Sequence, residues 1–94
     1  MQWVVRAYDG DDAGALDRRM KVRPAHMQSA RLMKEKGEIV VGGAILDDGG
    51  RMIGSLLVVE FPSRSDLDAW LAAEPYVTGD VWRRIEVQPF RSAF

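Results

Sequence analysis

Ninety-four residues carry thirteen basic and fourteen acidic side chains, for a formal net charge of −1, with 47% hydrophobic and 29% charged residues. This is a globular balance, and a chain so short buries only about two-thirds of its unfolded surface, so its core is thin. The charge argues against general nucleic-acid binding, which needs clustered cations, and the lack of cysteine excludes disulfides and thiolate zinc sites.

The apolar runs Ile39-Val40-Val41 and Leu56-Leu57-Val58-Val59 are too short to span a bilayer, so no membrane association is expected. No basic region leads into an apolar stretch at the start, so no secretory signal is expected and the expected compartment is the cytoplasm. Gln2 to Tyr8 is rich in β-formers and reads as a strand. Asp9-Gly10-Asp11-Asp12 stops it and offers carboxylates to cap a helix. A helical stretch runs to about Lys36, with a bend or break expected at Arg23 because the residue before Pro24 avoids the helical region.

Gly37 ends that stretch, and Glu38 to Leu46 is apolar nearly throughout. Asp47-Asp48-Gly49-Gly50 reads as a turn, and Met52 to Phe61 as the second arm of a hairpin. Ser63 with Asp66 resembles a capping box. The helix it opens carries Leu67, Trp70 and Leu71 on one stripe and stops near Glu74, ahead of Pro75. Tyr76 to Asp80 reads as a connecting turn, and Val81 to Phe90 as the last strand.

The order is βαββαβ, an α+β chain whose two crossover units share one antiparallel four-stranded sheet with both helices on one face, the ferredoxin-like arrangement. Residues 1–94 are expected to form a single domain. Ile53, Leu57, Val59 and Phe61 should share one face of the third strand, and Leu56 and Val58 the other. In the second strand, Ile39, Val41 and Ile45 should lie opposite Val40, Ala44 and Leu46. Two helices cover one face of such a sheet, so the uncovered apolar face calls for a homodimer packed sheet against sheet.

His26, the sole histidine, lies one turn before Ala30 and two before Met33 on the apolar stripe. Such a ring is either a hydrogen-bonded structural group or a general acid or base, since it titrates near neutrality. Glu74 extends the stripe of Leu67, Trp70 and Leu71, either as a frayed end or as a carboxylate brought to His26 by the antiparallel helices. Ser55 is the one polar side chain on its strand face, bonding a backbone group or lining a pocket. Gly42, Gly43 and Gly54 remove side chains nearby. Arg18, Arg19, Lys21 and Arg23 form a basic cluster that reads as a solvated face or an anion site. Asp47 and Asp48 belong to a turn that needs polar residues, so no metal site is expected, and no cofactor-binding motif is present.

Arg19-Met20-Lys21-Val22-Arg23-Pro24-Ala25-His26 resembles the signature of the YciI-like (YCII-related) family. Gly54-Ser55 leading into Val59-Glu60-Phe61, Ala69-Trp70 through Glu74-Pro75-Tyr76-Val77, and Val87-Gln88-Pro89-Phe90 with Phe94 are similar to its further segments, in order along nearly the whole chain. The resemblance implies a dimeric α+β barrel of ferredoxin-like units and a site centred on a histidine and an aspartate. His26 matches the histidine; the aspartate falls at Glu74, which moves the carboxylate by about 1.5 Å. It also implies a reaction style, proton abstraction in an apolar pocket from a small organic molecule, by a lyase or isomerase that uses no cofactor. His26 and Glu74 would be catalytic, Ser55 and Tyr76 would orient the ligand, and Arg23 would meet an anionic group. The alternative is a non-catalytic ligand-binding or accessory dimeric module.

Overall fold

The computed structural model describes residues 1–94. Seven elements follow in order: β1 (Gln2–Asp9), α1 (Ala15–Glu35), β2 (Ile39–Leu46), β3 (Met52–Glu60), α2 (Arg64–Ala73), α3 (Pro75–Thr78) and β4 (Trp82–Phe90). The strands form one sheet in the order β2-β3-β1-β4, every neighbouring pair antiparallel. This is the expected ferredoxin-like topology.

Strand alternation puts Trp3, Val5 and Ala7 of β1 on the face that the helices cover, and all three are buried. Val5 sits between Leu57 of β3 and Val87 of β4, which continues that face across the sheet. Met33 of α1, Leu67 of α2 and Tyr76 of α3 complete the core against it. No helix is long and apolar enough to cross a membrane.

The expected break at Arg23 does not occur: α1 is continuous, with Pro24 inside it. Proline removes one helical hydrogen bond, to the carbonyl four residues earlier. Here that carbonyl belongs to Met20, and Met20 and Pro24 are both exposed, so the lost bond falls on the solvent side. The buried side of the helix is undisturbed. The aspartates expected to cap α1 do other work, since Gly14 is the N-cap residue and no side chain bonds there. Asp12 pairs with Arg18 at 2.7 Å, and Asp9 turns inward.

Ser63 caps α2 as expected, its Oγ accepting from the Asp66 amide at 3.1 Å. The segment read as a turn after Glu74 instead forms the single helical turn α3, started by Pro75 at its first position and capped by the Glu74 carboxylate. Asp47 bonds the amides of Gly49 and Arg51, both at 2.9 Å, which gives the hairpin its polar turn.

In β2 the simple alternation fails. Ile39 pairs with Val59 and Val41 with Val58, so Val40 is an extra residue, a β-bulge. The bulge separates Val41 and Ile45 from the face of Ile39 and leaves Gly42 and Ala44 opposite Leu57 and Ser55. The face away from the helices is mixed in character. Val4, Val41, Leu56 and Val58 make its apolar part, while Arg6 faces Glu86 at 3.7 Å and Arg84 covers the Tyr8 ring.

Leu67 is fully buried where α2 meets the sheet. Leu67→Ala should lower unfolding free energy by about 2–5 kcal/mol. Urea denaturation measures it, and a loss near zero would mean that α2 is not seated as described.

Candidate active site

Because α1 is unbroken, Arg19, His26 and Met33 fall at i, i+7 and i+14, two helical turns apart on one inward face. Arg19 is only 3% exposed and His26 8%. Buried charge demands partners, and each finds one. Arg19 Nη1 donates to both carboxylate oxygens of Asp9, at 3.1 and 3.2 Å. His26 Nδ1 hydrogen-bonds Glu74 Oε1, and Glu74 is 2% exposed. Glu74 ends α2 and caps α3, so its place is set by two elements at once; Oε1 also accepts from the Tyr76 amide at 3.3 Å.

Tyr76 stacks on His26, with ring centroids 4.1 Å apart and planes at 19°. The Arg19 guanidinium carbon lies 4.6 Å from the centroid of the same ring. Trp82 packs near the edge, 6.1 Å from His26 and 5.4 Å from Tyr76. Ser55 accepts two hydrogen bonds, from Arg19 Nη2 at 2.8 Å and from Trp82 Nε1 at 3.2 Å. With both lone pairs engaged, its hydroxyl can only donate to a further partner.

These groups meet at a cavity of about 490 Å³ between α1 and β2. Arg19, Arg23, His26, Ser55 and Tyr76 line it, with Met27, Ala30, Ile39 and Leu57 supplying apolar wall. Of the three glycines near Ser55, Gly42 and Gly43 line the cavity. Gly54 answers a packing need instead: a Cβ there would come within 2.4 Å of the Ala7 carbonyl oxygen. His26 Nε2 makes no hydrogen bond within the protein and is not enclosed by it, so this nitrogen opens on the cavity. The Tyr76 hydroxyl is buried and has no protein partner. No three His, Cys, Asp or Glu side chains gather where a metal ion could be held.

The structure thus brings His26, Glu74, Ser55 and Tyr76 together, and it places Arg23 at the cavity wall without a carboxylate partner. Two further members of the cluster, Arg19 and Asp9, lie outside the site residues that the sequence predicts. Arg19 belongs to the basic cluster read as a solvated face or an anion site, yet it lies inside, on Asp9. The signal was its spacing of seven from His26, which has meaning only if the helix continues through Pro24. Trp82 is the third, and nothing in the sequence ties it to Ser55.

Burial raises the Asp9 carboxyl above its ordinary range, and the Arg19 guanidinium only partly offsets this. Burial likewise raises the Tyr76 phenol above its ordinary value of 10.0, against the pull of Arg19 and Arg23. The folded protein therefore holds the Tyr76 proton at pH values where the unfolded chain has released it. Its contribution to stability is complete below the unfolded titration point and is lost as pH rises through the folded one. In a Tyr8→Phe variant Tyr76 is the only tyrosine. Its phenolate absorbance should titrate above pH 10.0 in the folded protein, and a midpoint at or below that value would contradict the enclosure described.

A family model for the YCII-related domain matches residues 1–91. Protein YciI of Escherichia coli is 33% identical over 93 residues, covering 93% of this chain and 95% of that protein. Among solved structures, 5-chloro-2-hydroxyhydroquinone dehydrochlorinase from Burkholderia phenoliruptrix AC1100, in complex with 2,5-dihydroxybenzoquinone, is similar with a TM-score of 0.84 at 23% identity, covering 97% of this chain and 94% of the other. A dimeric ferredoxin-like protein of unknown function from Jannaschia sp. CCS1 is similar with a TM-score of 0.55 at 16% identity, covering 97% of this chain and 98% of the other. The structural likenesses agree with the topology of the sheet. On the sequence matches along its length, the chain belongs to the YCII-related domain family.

Proposed function

We propose that residues 1–94 form a single YciI-like domain that acts as a cofactor-independent lyase or isomerase on a small cyclic organic molecule. The observation that carries this reading is the state of His26. Its Nδ1 is engaged by a buried carboxylate, so in the neutral ring Nε2 holds the free lone pair, and Nε2 opens on the cavity. Nε2 takes a proton from an acidic C–H or O–H of the substrate. The released electron pair moves onto a conjugated oxygen, or expels a leaving group from the adjacent carbon.

Glu74 holds the ring in the productive tautomer and stabilises the imidazolium once the proton has moved. Its extra methylene relative to aspartate does not prevent the contact with Nδ1. Ser55, with only its hydrogen left to offer, is the donor for the developing oxyanion, and Tyr76, stacked on His26, orients the substrate ring. Arg23 would attract an anionic group at the wall. Likeness to a dehydrochlorinase seen with a dihydroxybenzoquinone supports a ring-sized substrate.

Chloride release from chlorinated hydroquinones and hydrolysis-free rearrangement of lactones are the assays to run. His26→Ala should lower kcat by about a hundred- to ten-thousand-fold while ligand affinity changes little. Glu74→Gln, which keeps the shape and removes the charge, should reduce kcat in the same direction by a smaller factor. If His26→Ala leaves ligand binding intact and no substrate turns over in either protein, the alternative of a non-catalytic binding module stands.

We also propose a homodimer with the uncovered sheet faces opposed. Val41, 55% exposed, and Leu56 give that face apolar area, and burying a side chain of this size is worth about 1.5–3 kcal/mol. The likeness to a dimeric ferredoxin-like protein supports a dimer. Light scattering should return about twice the 10.5 kDa chain mass; a monomer at micromolar concentration would refute the assembly and leave the cavity chemistry in place.

A further inference from the structure

Charge around the cavity is one-sided. Arg19, Arg23, His26, Arg31 and Lys34 line it, and no carboxylate does. The Arg19 guanidinium is answered from beneath by Asp9, and the His26 ring is engaged from beneath by Glu74. Arg23, Arg31 and Lys34 have no carboxylate within salt-bridge distance. Away from the cavity, Arg6 pairs with Glu86, Arg18 and Arg83 with Asp12, and Arg64 with Asp68, while Lys21, Lys36, Arg51, Arg84 and Arg91 are scattered over other surfaces. In a chain of net charge −1, this edge of α1 is therefore a local excess of positive charge facing a recess.

Geometry gives the excess a direction. Arg23, Met27, Arg31 and Lys34 recur at helical spacing and form one rim over β2. At a rise of about 1.5 Å per residue, Arg31 stands about 7.5 Å and Lys34 about 12 Å beyond His26 along the helix. One ring seated against His26 and Tyr76 leaves that part of the cavity free. The wall opposite is low, because the β2 residues that face the helix there are Gly42 and Ala44. The volume of about 490 Å³ falls in the range of about 300–1,000 Å³ that holds a ligand larger than a single ring.

We infer that the ligand of this site carries an anionic arm of the carboxylate type, held by Arg31 and Lys34 while its cyclic body lies against His26, Tyr76 and Ser55. The inference rests on the small-molecule site proposed above and extends it to a substrate class, elongated cyclic acids. Arg31 presents a planar donor fork that matches a carboxylate. Lys34 already donates to the Val40 carbonyl, which tethers its ammonium at the cavity's far end. Arg23, on the near side of His26, is left for a second polar group.

Calorimetric titration with phenylpropionate and phenylbutyrate, each against its primary amide, tests the inference. Acid and amide share shape and differ in charge. At low salt the natural protein should bind each acid about fivefold more tightly than its amide, and the preference should shrink as salt rises. An Arg31→Gln, Lys34→Gln double variant should bind acid and amide alike, with amide affinity unchanged. Arg31→Lys should retain part of the preference, and it serves as the informative variant if the double one melts early. Equal binding of acid and amide by the natural protein, a preference that survives in the double variant, or no binding by any of the four probes each overturns the inference. Affinity, not turnover, is the readout. His26→Asn should therefore keep the acid preference even if no reaction is ever found, which separates failure of the chemistry from failure of the charged arm.

Discussion

Arg19 and His26 project from one face of α1 into the water-poor layer above the sheet, and an unpaired charge there would destabilise the fold by several kcal/mol. Everything at the site follows from answering those two side chains. Asp9, at the end of β1, neutralises the first, and Glu74, between α2 and α3, meets the second. The first pair ties α1 to the first strand, and the second ties α1 to the junction of α2 and α3. They also leave Nε2 of His26 open to the cavity and the hydroxyl hydrogen of Ser55 as the one valence that residue has left.

The aromatic groups make this arrangement rigid. Tyr76 touches both His26 and Arg19, and Trp82 closes its edge while donating to Ser55. Side chains that are hydrogen-bonded and stacked have few alternative rotamers, so a ligand would meet donors already oriented. β2 contributes differently. Its bulge at Val40 turns Gly42 and Ala44 toward the helix, and small residues on that wall are what leave room under α1.

Carboxylates and cations are distributed unequally by depth. Asp9 and Glu74 lie deep and are consumed by their partners; Arg23, Arg31 and Lys34 lie along the rim and are not. A molecule entering the site would meet uncompensated positive charge first and an acid–base pair at the bottom. Such an order suits an anion that is drawn in by its charge and reacts at its other end.

The sequence by itself determined the βαββαβ order, the hairpin turn, the Ser63 cap and the inward face that carries His26, because each is set by local periodicity or by chain-neighbour hydrogen bonds. It also carried the family. The chain's pairing of His26 with Glu74 was legible only as a consequence of antiparallel helices, not from either residue's own neighbourhood. Tertiary structure alone decided that α1 runs straight through Pro24, since a local preference worth about 3 kcal/mol yields when the lost bond faces water and the opposite side of the helix is packed. It alone decided the bulge in β2, the depth of Arg19 and the bond from Trp82 to Ser55, because partners far apart in the chain make them and no local pattern encodes such a meeting.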